Sequence, residues 1–325
     1  MALNFKSYLK HFNRNRDINK VDAHSRSRQS VLYETILFNA KALRTMTGNT
    51  KLLLAGRAID NKKSFKLSDN LYKKLNAKER LVNGFPVYDF ESINFEGKGR
   101  YVLYLHGGTY AYQPTVLHWL FLERIVAEIP THITMPIYPK APTHTYKEAI
   151  DMICKVYEQL LSVTTADNIV VMGDSAGGGL TLALCEYLRE NHYSQPLKTI
   201  LLCPWVDVRC NNERIVDYVA KDPLLIRAEL ITLGSAYAGD KATDYYLVSP
   251  LCGDVSNIAP TYIFTGTHEI LYPDAVKLTL KCRSSGVKAK LYVYNYMNHV
   301  FMIYPLPEAV RARAKIEDII VGTEK

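Results

Sequence analysis

Three residue types that can share a proton relay follow one another along the chain: Ser175, then Glu269 or Asp274, then His299. Ser175 lies in Gly173-Asp174-Ser175-Ala176-Gly177, directly after the apolar run Ile169–Met172 and just before a helical pattern. A serine at a tight strand-to-helix turn has its hydroxyl lifted clear of the sheet, and glycines flank it where side chains would collide with the neighbouring strand and helix. Alone, G-x-S-x-G also fits a plain glycine-rich turn, so the strand before it and the helix after it are what argue for a nucleophile. His299, in Asn298-His299-Val300-Phe301, comes after the run Leu291–Tyr294, and imidazole is the side chain suited to taking and returning a proton near neutral pH. Glu269 and Asp274 both follow the run Thr261–Thr265. Glu269 sits in the loop immediately after it. Asp274 follows Pro273 in what reads as a first helical turn, where the helix dipole alone favours a carboxylate. Glu269 is therefore the first choice as acid and Asp274 the alternative.

A second motif, His106-Gly107-Gly108-Thr109-Tyr110, follows the run Tyr101–Leu105. Attack of a serine on a carbonyl creates a negatively charged oxygen, which backbone N–H groups stabilise without reorganising. The amides of Gly107, Gly108 and Thr109, with that of Ala176, are the expected oxyanion hole, and His106 is expected to organise the loop rather than act as a base. Tyr110 and Tyr112 are expected to line the substrate pocket, with the N-terminal helices and the 205–248 segment.

These motifs need a scaffold. From about residue 85, short apolar runs (Tyr101–Leu105, Ile133–Tyr138, Ile169–Met172, Thr199–Cys203, Thr261–Thr265, Leu291–Tyr294) alternate with amphipathic stretches such as Tyr146–Leu161 and Gly179–Glu190. Nearly continuous apolar strands alternating with helices predict an α/β fold with a mostly parallel sheet buried on both faces. In such sheets chemistry gathers at the carboxyl ends of the strands, where each motif lies. Residues 1–83 read as helical and basic. Residues 205–248 interrupt the strand–helix rhythm and read as an insertion. The expected division is an N-terminal helical cap over 1–84 and a catalytic domain over 85–325 with a cap insertion at about 205–248.

Taken together, H-G-G-T-Y, G-D-S-A-G-G, G-T-H-E-I-L-Y-P-D-A and N-H-V-F resemble the α/β-hydrolase fold, specifically the hormone-sensitive-lipase family of esterases of the bacterial carboxylesterase type. The resemblance covers about residues 85 to 320, and Tyr138-Pro139-Lys140-Ala141-Pro142 and Ser249-Pro250-Leu251 match further landmarks of that family. It implies a serine esterase acting through an acyl-enzyme on short-chain acyl esters, reactive toward fluorophosphonates and needing neither metal nor cofactor. Deacetylation of sugars or amides would use the same residues. A non-catalytic ligand receptor is the reading of a different class, and gibberellin receptors, which resemble this family, have lost the histidine that this chain keeps. The family usually reads H-G-G-G, where this chain has Thr109. The backbone N–H survives that change, and the added side chain narrows the pocket.

The bulk properties agree with a globular enzyme: 325 residues, 48% hydrophobic and 22% charged. The front of the chain holds no secretory-type apolar stretch, so a cytoplasmic location is expected. Cys154, Cys185, Cys203, Cys210, Cys252 and Cys282 include no C-x-x-C pair, which argues against a zinc site and for buried free thiols. The net charge of +8 is concentrated early, with Lys6, Lys10, Arg14, Arg16, Lys20, Arg26 and Arg28 in the first 30 residues. Phe5, Tyr8, Leu9 and Phe12 could share a helical face there, which leaves a solvated helix or peripheral contact with an anionic membrane as readings. No nucleic-acid-binding module is recognisable. A small acyl ester is the expected partner, and the oligomeric state is open, a homodimer included.

Overall fold

The computed structural model describes residues 18–22, 26–47 and 49–323. Among these residues nine strands form one sheet in the order β1-β9-β8-β7-β6-β4-β5-β3-β2. The strands are β1 (Ile18–Asp22), β2 (Lys78–Val82), β3 (Phe85–Glu91), β4 (Arg100–Leu105), β5 (Thr131–Pro136), β6 (Ile169–Asp174), β7 (Lys198–Leu202), β8 (Thr261–His268) and β9 (Ala289–Asn298). The pairings from β5 through β4, β6, β7, β8 and β9 to β1 are parallel, whereas β3 pairs antiparallel with β5 and β2 antiparallel with β3.

Helices α1 (Arg28–Thr47), α2 (Thr50–Asp60) and α3 (Asp69–Lys74) precede the hairpin. Helices α4 (Val116–Glu128), α5 (Tyr146–Leu161), α6 (Ala176–Glu190), α8 (Tyr272–Ser284) and α9 (Pro307–Val321) flank the sheet, and α7 (Arg227–Ala238) lies within the segment that breaks the strand–helix rhythm. The sheet is buried on both faces because its residues alternate between two cores. Val102, Tyr104, Met172, Ile200, Phe264 and Tyr292 pack with Trp119 of α4 and Ile316 and Ile319 of α9. Leu103, Leu105 and Val171 point the other way, against Ile153 and Val156 of α5 and Leu184 of α6. Local signals fix the helix starts. Thr145 and Glu148 form a reciprocal capping box at α5, and Pro307 opens α9 while Gly322 closes it with a left-handed backbone.

Six of the strands lie where the apolar runs predict them. The helical reading of residues 1–83 fails at Lys78–Val82, which is a sheet strand. Its partner begins three residues on, at Phe85, and the two are joined by Asn83-Gly84 with φ of 53° and 82°. That dipeptide is a tight-hairpin signal, and the strands it joins are masked by the charges of Lys78-Glu79-Arg80 and by Pro86. The expected boundary at residue 85 thus falls inside a hairpin of the sheet. The apolar face proposed for Phe5, Tyr8, Leu9 and Phe12 lies outside the described residues. Ile18–Asp22, in the same basic segment, is a strand rather than a helix. No helix among the described residues is long and apolar enough to cross a membrane. The six cysteines are free; four are buried, Cys154 is half-buried and Cys252 is exposed, so burial does not extend to all six as expected.

The closest constraint on the sheet is its crossing with α6. A Cβ on Gly177 would lie 1.8 Å from the Leu105 carbonyl oxygen, which is backbone and cannot swing away. Gly177→Ala is therefore expected to destabilise the fold by on the order of 1–3 kcal/mol, read as a lowered Tm. An unchanged Tm would show that the crossing tolerates a methyl group.

Candidate active site

Ser175 occupies the single residue between β6 and α6 with φ 51° and ψ −119°, a backbone that L-residues rarely adopt. Neighbouring backbone holds it there: its N–H donates to Leu202 O at 2.8 Å and its carbonyl accepts from Trp205 N at 2.8 Å. The hydroxyl then points away from the sheet toward β9. His299, just beyond β9, brings Nε2 to 2.9 Å from Ser175 Oγ, and its Nδ1 lies 2.6 Å from Glu269 Oε2. Glu269 is fully buried, and its other oxygen accepts from Thr265 Oγ1 and from Gly266 N at 3.1 Å. This arrangement fixes the tautomer, with Nδ1–H donating to the carboxylate and Nε2 free to accept the serine proton. Burial alone would lower the imidazole pKa, but the hydrogen bond and charge of Glu269, aided by Asp222 and Asp174, outweigh it and raise the pKa above the ordinary value.

Asp274 is elsewhere. It sits in the first turn of α8, and its Oδ1 accepts from Asn212 Nδ2 at 2.8 Å. Burial pushes its pKa up to about 6. The alternative assignment of Asp274 as acid fails because the helical turn carries the side chain toward the 205–248 segment. Cys203 is a neighbour that the sequence did not single out. Its Sγ, the Glu269 carboxylate and a His299 nitrogen all lie within 4.8 Å of one another, a set of atoms that could hold a metal. Burial first, then the Glu269 carboxylate, raise the thiol pKa far above its usual range. The Glu269 and His299 atoms already bond each other at 2.6 Å.

The loop after β4 is held from behind by Asp174. Its Oδ1 accepts from Tyr104 Oη at 2.6 Å and from Gly107 N at 2.8 Å, and its Oδ2 lies 3.3 Å from His118 Nε2. Burial would raise the Asp174 pKa, but His118, Tyr104 and Gly107 reverse it, and the pKa falls below the ordinary value. A Cβ on Gly107 would meet Asp174 Oδ2 at 2.1 Å, so glycine is required there. This corrects one expectation: the Gly107 N–H is spent on Asp174 and is unavailable to an oxyanion. The amides of Gly108, Thr109 and Ala176 have no backbone partner among the described residues. Gly108, Thr109 and Tyr110 are consecutive left-handed residues with φ of 116°, 50° and 60°. For the β-branched Thr109 that backbone is strained, as is common at functional sites. His106 is fully buried and stacks on Tyr138 with centroids 4.5 Å apart. Burial, then Lys140 and His118, hold its pKa well below the usual range, so it stays neutral.

Ser175 and His299 open into a cavity of about 780 Å³. Its apolar lining includes Leu117, Val300 and Ile303 from the body and Leu224, Leu225 and Leu233 from the 205–248 segment. Its charged lining includes Arg44, Arg57, Asp60 and Lys63 from α1, α2 and the loop after them, with Arg44 paired to Glu229 of α7 at 2.6 Å. Tyr112 lines the cavity beneath the Arg57 guanidinium, which sits 4.3 Å from the ring centroid. Tyr110 does not line it, against expectation. Its ring stacks on Tyr237 at 3.8 Å and its hydroxyl donates to Trp205 O at 3.3 Å, which seats it under the loop. A further residue absent from the sequence reading is Asp222, fully buried. Its carboxylate accepts from Leu224 N and Leu225 N, both at 2.8 Å, and from Ile270 N at 2.9 Å, next to Glu269. Its backbone carbonyl accepts from Lys41 Nζ of α1 at 2.6 Å. Asp222-Pro223 ahead of two leucines was the available signal, since an aspartate commonly accepts backbone N–H bonds two and three residues on.

Residues 102–303 match the family model described as the alpha/beta hydrolase fold. The chain is 29% identical to an esterase of Acinetobacter venetianus over 69% of this chain and 75% of that protein. It is 28% identical to an acetyl-hydrolase of Streptomyces hygroscopicus, over 66% of this chain and 73% of that protein. A crystal structure of an esterase from the bacterial hormone-sensitive lipase family superimposes with a TM-score of 0.78 at 25% identity, covering 92% of this chain and 99% of that one. The expected fold class and family resemblance therefore hold, and the chain belongs to the α/β-hydrolase fold family, among its hormone-sensitive-lipase-like esterases, as a carboxylic ester hydrolase.

Proposed function

We propose that this protein is a serine carboxylesterase for short-chain acyl esters, with Ser175 as nucleophile, His299 as proton carrier and Glu269 as the acid that orients it. The observation that carries the reading is the unbroken chain Ser175 Oγ, His299 Nε2, His299 Nδ1, Glu269 Oε2, with contacts of 2.9 and 2.6 Å. His299 takes the Ser175 proton as Oγ attacks the ester carbonyl. The oxyanion forms beside the amides of Gly108, Thr109 and Ala176, at the positive end of α6. Collapse expels the alcohol, which receives the proton from His299 and leaves an acyl-enzyme. Water loses a proton to His299, attacks the acyl carbonyl, and the acid departs as the proton returns to Ser175.

In this reading α1, α2 and the 205–248 segment form a cap over the cavity. The short-acyl preference is supported by the Thr109 side chain in the cavity wall and by the name of the Streptomyces acetyl-hydrolase. That name also favours a second reading, deacetylation of a sugar or amide by the same residues. Hydrolysis rates from acetate to palmitate esters, with an acetylated sugar and an arylacetamide alongside, separate the two. The expected outcome is a maximum at short acyl chains on simple esters. A maximum at palmitate, or on the sugar or amide, would replace this reading.

Ser175→Ala is expected to lower kcat for p-nitrophenyl butyrate by at least about a thousandfold and to abolish labelling by a fluorophosphonate probe. Retained turnover in a pure preparation removes Ser175 from the mechanism. The pH profile gives an independent check. His299 must be neutral to accept the serine proton, and its pKa is raised above the ordinary value of about 6.5. The acid limb of kcat/KM is therefore expected with a midpoint above that value, activity falling as pH drops through it. Glu269→Gln removes the charge that raises the pKa, so the midpoint should move down while the rate falls by on the order of a thousandfold or more. A limb that stays in place would mean that Glu269 does not face the working imidazole.

A further inference from the structure

A second cavity, of about 340 Å³, adjoins the first and shares Lys63, Ser64, Phe65 and Gln113 with it. Its other lining residues include Lys62, Lys140, Tyr138 and His144, and no aspartate or glutamate. Two acids outside the lining pair with residues of it: Glu148, which also caps α5, lies 3.6 Å from His144, and Asp60, which holds Arg57 at 2.6 Å, lies 3.7 Å from Lys63. Lys140 is the exceptional group. It is 3% exposed, its Nζ donates to the Tyr138 carbonyl at 2.7 Å and sits 4.8 Å from the Tyr138 ring, and it has no carboxylate partner among the described residues. A lysine is rarely so deeply buried unless it is paired, because an isolated buried ammonium is costly. Burial alone holds its pKa down at about 7. An anion in the cavity would supply the missing partner and keep the ammonium charged. Gln113 lines both cavities, and its buried side-chain oxygen has no hydrogen-bond partner among the described residues.

We propose that this side cavity is an anion subsite, which receives a carboxylate or phosphate substituent of the ester held at Ser175, with Lys140 as its buried counter-charge and Lys62 and Lys63 at its rim. The inference rests on the esterase reading and narrows it to esters that carry an acidic group on the acyl or the alcohol side.

Matched substrate pairs test it. On the acyl side, p-nitrophenyl hydrogen glutarate is compared with p-nitrophenyl valerate; on the alcohol side, 4-acetoxybenzoate with phenyl acetate. The quantity read is the ratio of kcat/KM for charged over neutral ester, each corrected for its rate of spontaneous hydrolysis. At low salt one pair is expected to favour the charged member by about fivefold or more, and the ratio should shrink in about 0.5 M salt as charges are screened. Lys140→Met should bring that ratio close to one, and Lys140→Arg should keep most of it. If Lys140→Met does not fold, the double change Lys62→Gln and Lys63→Gln should lower the ratio by about half or more. Neutral esters hydrolysed without preference for either charged partner would overturn the subsite and leave the esterase reading standing. A preference that survives unchanged in Lys140→Met would also overturn it. Failure to hydrolyse any of the four esters would remove both.

Discussion

Between β6 and α6 the backbone of Ser175 is bent into a range that L-residues rarely adopt, and that bend dictates much of this structure. The φ of 51° at Ser175 persists because the strand before it and the helix after it are pressed together with no room for side chains at Gly173 or Gly177. Leu202 and Trp205, from the neighbouring strand and the segment after it, grip the N–H and the carbonyl of the bent residue. Strain of this kind, of order 1–3 kcal/mol, survives only when the surroundings leave no alternative. The parallel sheet with two full cores supplies those surroundings.

Around the bend, two buried carboxylates hold backbone amides in place. Asp174 consumes the Gly107 amide and so sets the pitch at which the next amides emerge. Asp222 gathers three backbone N–H groups from two stretches of chain. An ionised carboxylate is costly to bury unless donors surround it; the groups around Asp174 outweigh burial and lower its pKa, whereas at Asp222 burial outweighs the three N–H groups and raises it. The charges also act at a distance: with Glu269 they outweigh the burial that would otherwise lower the His299 pKa.

The fold and the meeting of Ser175, Glu269 and His299 were largely legible in the sequence, for a physical reason. Apolar runs mark strand ends where a parallel sheet exposes its chemistry, and Ser175, Glu269 and His299 lie within a few residues of the ends of the runs Ile169–Met172, Thr261–Thr265 and Leu291–Tyr294. What escaped is what depends on side-chain direction. The sequence does not say which amides of His106-Gly107-Gly108-Thr109 face the cavity, and the partner that claims Gly107 is about 65 residues away. Tyr110 and Tyr112 lie two apart yet face a buried stack and the cavity respectively. Strand β2 was missed because its charged residues and half-exposed edge lack the apolar run that marks the central strands.

Asp222 also bears on how such a pocket can diversify. It fastens the apolar wall at Leu224 and Leu225 through their main-chain amides, not their side chains, and the same carboxylate secures the amide beside Glu269. Mutation can therefore reshape that wall, residue by residue, while the main chain stays moored. The shape of the cavity can drift over generations with the contacts among Ser175, His299 and Glu269 left in register.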